Sequence, residues 1–204
     1  MRTSVAIAAG LLLSMACGCG AVAVPEDFAY RLPAPQPRDD ANFIGGVLRV
    51  GDVDVVAELA GDRLLVADAG TRLRAWQHHR WAGPLERMVS DALVTGLART
   101  RRFAEVKSPS ASGTEDFVIT ARVLDFHEVG DAQGWRARAT IELHLVRQDG
   151  RLVFQDEFRA DTPLASSDPG ELACGLGHSI GTILDALIDR CDREGLFTVA
   201  APSR

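Results

Sequence analysis

The stretch GWRARATIELHLVRQ alternates without a break. Trp135, Ala137, Ala139, Ile141, Leu143 and Leu145 share one parity; Arg136, Arg138, Thr140, Glu142 and His144 share the other. A period of two puts these sets on opposite faces of an extended chain, so the stretch is a strand with one buried side. DFVITARVLDF before it and RLVFQDEFRAD after it alternate in the same way, and Asp149-Gly150 between the last two reads as a two-residue hairpin turn. Three such strands in succession make an antiparallel meander, and its apolar face needs a second layer to cover it.

Two helices supply that layer. Leu85, Met88, Val89, Ala92, Leu93, Gly96 and Leu97 recur three and four apart, which predicts a helix of about five turns. Pro84 fits its first turn, and Arg99, Arg101 and Arg102 sit at its carbonyl end. SDPGELACGLGHSIGTILDALIDRC predicts the second helix, capped by Asp168, with Pro169 at the first helical position and Glu171 three residues after the cap. Leu172, Leu176, Ile180, Ile183, Leu184, Leu187 and Ile188 form its buried stripe. Gly175, Gly177 and Gly181 each weaken it by up to about 1 kcal/mol relative to Ala. Close packing of the helix on the sheet is the expected compensation.

Upstream, GVLRVGDVDVV predicts a core strand, Leu64 to Ala67 a short one, TRLRAWQHHR a half-exposed extended arm, and DFAYRL an edge strand. PAPQPRDDAN has the composition of a surface linker. The expected fold is α/β (α+β): a single domain with a mixed, largely antiparallel sheet and two amphipathic helices on one face. The expected division is a signal segment at 1–19, an extended segment and linker at 20–45, the domain at 46–195, and a frayed tail at 196–204.

The N-terminus, MRTSVAIAAGLLLSMACGCG, has one basic residue, Arg2, then an apolar run of about a dozen residues, then small residues around Cys17 and Cys19. The run is too short to span a bilayer. It resembles a lipoprotein signal, in which a small residue precedes the cysteine that carries the lipid. Cys17 is the preferred lipidation site and Cys19 the alternative; a cleaved signal without lipid is the plainer reading. Neither cysteine is followed by the Asp that retains lipoproteins in the inner membrane, so the outer membrane is the expected destination.

A net charge of −6 spread along the chain, with no basic block, argues against nucleic-acid binding and against electrostatic adsorption to anionic lipid. Two further cysteines, Cys174 and Cys191, lie seventeen residues apart. On one helix that spacing separates them by about 25 Å, beyond the reach of a disulfide. Both are expected unpaired, Cys174 at least partly buried.

Candidate chemistry is sparse. His78-His79 in an extended segment point to opposite faces and do not share a metal easily. Asp125, His127 and Glu128 form an acid/base cluster without an elbow-borne nucleophile, and read as a polar strand end before a turn. Cys174 and His178 are one helical turn apart with no further ligand, and read as packing residues. No catalytic residue, metal site or cofactor is expected, and an enzyme is disfavoured.

FAYRLP after a lipoprotein-type N-terminus, LRVGDVDVVAELAGDRLLV, and TRLRAWQHHRWAGPLERMVSDALVTGLART resemble the ABC-type transport auxiliary lipoproteins, including the PqiC-like lipoproteins of MCE lipid transport systems. FVITARVLDF, GRLVFQDEF and the closing helix extend the resemblance over about residues 28–190. Its most specific piece is RWAGPLERMV, where Arg80, Trp81, Pro84 and Leu85 fall on the family pattern. Val56 and Leu59 fit a further step of that pattern, while Ala57 and Glu58 replace its Pro and Tyr. The resemblance implies a non-enzymatic, outer-membrane-anchored lipoprotein facing the periplasm. It implies partnership with an MCE-domain protein and an ABC transporter in moving phospholipid or related lipid between membranes, and possible homo-oligomers. A structural scaffold and a cell-envelope hydrolase are the alternatives.

Overall fold

The computed structural model describes residues 26–38, 43–68 and 72–197; Cys17, Cys19, the rest of the signal segment and the end of the tail lie outside them. The elements run β1 (Phe28–Tyr30), β2 (Val47–Val55), a 3-10 turn (Ala57–Leu59), β3 (Arg63–Ala67), β4 (Leu73–Trp81), α1 (Leu85–Arg99), β5 (Glu105–Lys107), β6 (Phe117–Asp131), β7 (Gly134–Arg147), β8 (Leu152–Leu164) and α2 (Pro169–Glu194). The eight strands form one mixed sheet whose long ladders, β6 with β7 and β7 with β8, are antiparallel, as the alternation requires.

β6 is the axis of this sheet. β7 covers one of its edges for its full length, and the other edge is divided. β2 pairs in parallel with its first half, from Leu48 opposite Phe117 to Val55 opposite Val123. The chain then leaves through the 3-10 turn and returns as β3, which pairs in parallel further along, Val66 opposite Glu128. β5 extends the sheet beyond β2, and β4 then β1 extend it beyond β3. The β7–β8 connection is a three-residue loop, Gln148 to Gly150, closed by the Arg147 amide on the Arg151 carbonyl at 2.9 Å. Gly150 takes φ of +80°, the left-handed residue that a turn-plus-bulge hairpin needs, so the expected two-residue turn is one residue longer.

Both helices cover one face. Ile119, Ala121 and Val123 of β6 and Ala137 to Leu145 on the odd positions of β7 are buried beneath them together with the predicted stripes of α1 and α2. Asp168 caps α2, accepting from the amides of Gly170 at 2.8 Å and Glu171 at 2.9 Å. The opposite face is a solvated lattice of ion pairs such as Arg138 with Asp161 at 2.7 Å.

The α2 glycines divide their work. Gly175 meets the sheet as expected: a Cβ there would come within 2.7 Å of Ala137 Cβ. Gly177 and Gly181 instead face outward, under residues 31–38. A Cβ on Gly177 would lie 3.0 Å from the Pro33 carbonyl, and one on Gly96 of α1 would lie 2.9 Å from Pro35 Cγ and against Leu184. Pro35 is buried in this notch. Arg99 donates to the Pro35 carbonyl at 2.8 Å, and Arg38 holds both carboxylate oxygens of Asp189 at 2.7 Å. The proline-rich segment is therefore a seated strap across both helices, not a free linker: small residues below and fixed-φ prolines above make close backbone approach possible.

The tail also departs from expectation. Gly195 ends α2 with φ of +62°, and the Leu196 amide donates to the Cys191 carbonyl at 3.0 Å, a left-handed helix cap. That reversal seats Phe197 edge-on to Phe103 and Phe117, at 5.0 and 5.3 Å between ring centroids. Cys174 and Cys191 are free, as expected; Cys174, expected at least partly buried, is exposed on α2, and Cys191 is buried.

Candidate functional site

The segment Arg80 to Leu85 joins β4 to α1 and is the junction of several parts of the fold. The Trp81 amide donates to the Asp62 carbonyl at 2.6 Å, and the Ala82 amide donates to the Tyr30 carbonyl at 2.7 Å. Trp81 pairs with Tyr30 in the parallel register of β1 on β4. Its ring packs against Phe126 at 5.8 Å, and Leu85 is buried directly below. Pro84 stands immediately before α1 and its carbonyl accepts from the Met88 amide at 3.2 Å. Arg80 is solvent-exposed, with its guanidinium 3.8 Å from Asp27. The four motif residues thus split into two core anchors, Trp81 and Leu85, and two surface residues, Arg80 and Pro84.

Hollows open on both sides of this segment. One, of about 320 Å³, lies between the strap and α1; Arg31 and Leu32 form one wall, Arg87, Met88, Ala92 and Thr95 the other. The second, shallower, runs from Gly61 and Asp62 past Arg80 to Glu86. The first had no signal in the sequence, because its walls come from segments some fifty residues apart that the β1–β4 pairing and the seating of the strap on the helices bring together.

The remaining candidates are separated by the backbone. A bulge between Val123 and Asp125 shifts the parity of β6. Phe126 and Glu128 then face the helices, while Asp125 and His127 face the other side. Both His127 and Glu128 are buried in mid-strand; β6 runs on to Asp131, so they are not a strand end. Burial holds the His127 imidazole below the ordinary histidine range, and its Nδ1 stands 4.0 Å from Asp125. Burial pushes the Glu128 carboxyl above the usual carboxylate range; one oxygen accepts from Ser167 Oγ at 2.6 Å and the other has no hydrogen-bond partner among the described residues. The sheet itself lies between these two groups, so they do not form one constellation.

His78 adopts φ of +59° and sits 3.1 Å from Asp27, whereas His79 accepts or donates to Tyr30 Oη at 2.9 Å and stacks on Phe28. The two rings have different partners, but the left-handed backbone at His78 departs from the extended geometry on which the expected divergence rested. Cys174 and His178 are both exposed on α2, a solvent-facing pair and not packing residues. Among the described residues no group of three His, Cys, Asp or Glu side chains could hold a metal ion.

Arg80, Trp81, Pro84 and Leu85 sit at a junction that ties β1, the loop before β3 and the start of α1 together. The model of the ABC-type transport auxiliary lipoprotein component matches residues 30–187, from β1 to the last turns of α2. The chain belongs to this family. Its role is that of a non-enzymatic auxiliary component linked to ABC-type transport systems, as a membrane-anchored lipoprotein of the periplasm. No curated protein matches the chain. Among solved structures, a protein from Xanthomonas campestris is 18% identical over 82% of this chain and 96% of its own, with a TM-score of 0.69. A second, an uncharacterized protein, is 20% identical over 81% of this chain and 98% of its own, with a TM-score of 0.66. At these identities the two establish a shared fold.

Proposed function

We propose that this auxiliary lipoprotein is held at the outer membrane by lipid on Cys17, with Cys19 the alternative, and assists an MCE-domain protein and its ABC transporter in moving phospholipid between membranes. The observation that carries the reading is the position of β1. Phe28 lies eleven positions after Cys17, and fully extended that stretch reaches at most roughly 40 Å. β1 then hydrogen-bonds directly beside the motif segment, through Tyr30 and Ala82. An anchor at either cysteine therefore keeps the motif junction and both hollows within one short tether of the lipid surface. Several acyl chains on one cysteine give stable anchoring, since each buried methylene contributes about 0.8 kcal/mol. The domain would occupy residues 46–195 with the strap and β1 as part of its working body, and Arg80 and Pro84 would be the motif residues available to a partner. Homo-oligomers of this unit are part of the proposal.

Two measurements test it. The intact mass of the chain purified from membranes is expected to show a start at Cys17 or Cys19 with added acyl mass; an unmodified start near Gly20 contradicts the anchor. Co-purification from detergent is expected to recover the cognate MCE-domain protein, and Arg80→Glu to weaken that recovery. Clean separation of the two proteins would leave a scaffold lipoprotein instead.

A further inference from the structure

We infer that the hollow between the strap and α1 is a binding site for one anionic phospholipid, its phosphate held between Arg31 and Arg87 and an acyl chain laid along Leu32, Met88 and Ala92. The inference rests on the transport reading above and assigns it a place on the molecule.

Three observations converge. The walls are largely apolar and enclose about 320 Å³, the scale of a small-molecule site. Arg31 of the strap and Arg87 in the first turn of α1 both line it, each solvent-exposed. Neither makes an ion pair or side-chain hydrogen bond among the described residues, whereas Arg38, Arg99 and Arg102 nearby are all engaged. An unpaired guanidinium is a strong, fork-shaped phosphate donor. Finally, the strap wall continues from β1, the strand at the end of the tether, so the hollow lies within the reach of that tether from a lipid-anchored cysteine. Asp91 is the one acidic lining residue; it leaves the hollow with a single net positive charge and opposes the phosphate.

The test uses the full-length lipoprotein in mild detergent, titrated with phosphatidylglycerol and followed by native mass spectrometry. One lipid per chain is expected beyond the covalent anchor. The double variant Arg31→Gln, Arg87→Gln is expected to weaken binding by about tenfold or more. Ala34→Trp, at an exposed position on the rim, is expected to fill the hollow and do the same, and Asp91→Asn to tighten binding. Thermal unfolding of each variant checks that the fold is retained. Equal binding by the arginine variant overturns the inference. So does equal binding of diacylglycerol with the same chains, which would make the hollow merely greasy, or displacement by equimolar inorganic phosphate, which would make it a free-anion site. Recovery of the MCE-domain protein is measured on the same preparations. If it is recovered and no phosphatidylglycerol binds, the site fails alone; if lipid binds and the partner separates, the transport reading fails.

Discussion

Arg102 donates to both carboxylate oxygens of Asp192, at 2.6 and 2.7 Å, and so ties the end of α1 to the end of α2. Arg102 is 1% exposed, the largest of the fully buried side chains, and the residue before it turns inward through φ of +54°. Its carbonyl also accepts the amides of Ile44 and Gly45. The cation at the helix end does more than complement the carbonyl pole: it is a buried tie between the two helices.

Asp192 presents both carboxylate oxygens to this buried guanidinium, and its removal takes away that counter-charge. Asp192→Ala is expected to destabilise the domain by about 2–3 kcal/mol, below the full cost for a wholly buried pair because Asp192 is itself half-exposed. Urea unfolding measures this. A loss under about 0.5 kcal/mol would mean that Arg102 finds another acceptor.

The glycine notches predict opposite signs for similar substitutions. At Gly181 a Cβ would stand 3.5 Å from Gln36, an ordinary contact, so Gly181→Ala gains helix propensity of up to about 1 kcal/mol. At Gly96 it would meet Leu184 and Pro35, so Gly96→Ala displaces the strap. Melting temperatures are expected to move by about 2–4 °C per kcal/mol, up for the first and down for the second. Equal shifts of one sign would contradict a seated strap.

Glu128 and His127 give the stability a pH dependence of known sign. Glu128 binds its proton more tightly folded than unfolded, so its contribution is fully present below the ordinary Glu value of 4.5 and is lost as pH rises through the elevated folded value. His127 is depressed, so its contribution is present above 6.5 and is lost as pH falls through the folded value. Glu128→Gln keeps an acceptor for Ser167 and is expected to flatten the decline above pH 4.5 without touching the histidine limb. Chemical unfolding across pH reads both; an unchanged profile would show that Glu128 is ionised at no cost.

The two cysteines of the domain differ in reactivity. Burial pushes the Cys191 thiol up to about 12, while Cys174 is exposed. Brief maleimide labelling at pH 8 followed by peptide mapping is expected to find Cys174 modified and Cys191 untouched until denaturant is added. Native labelling of Cys191 would mean that the end of α2 opens readily.

Local sequence pattern by itself determined the meander, both helices and the Asp168 cap, because each depends on residues a few positions apart and on which side of a strand or helix they fall; the Arg80–Leu85 segment was picked out by its resemblance to the family pattern. Close packing around α2 was legible too, since three glycines in a buried stripe demand a near neighbour; which neighbour was not. Tertiary structure alone decided that Gly175 meets the sheet while Gly177 and Gly181 meet the strap. It also sent Arg102 inward and folded Phe197 back onto Phe103. Period two already sets the neighbours His127 and Glu128 on opposite faces, but a single bulge on β6 before them decided which, turning Glu128 toward the helices and His127 away, a parity change that the sequence carries no mark of. The hollow lined by Arg31 and Arg87 is of the same kind: its walls are distant in the chain, and their meeting depends on the β1 pairing at the edge of the sheet and on the seating of the strap against the helices.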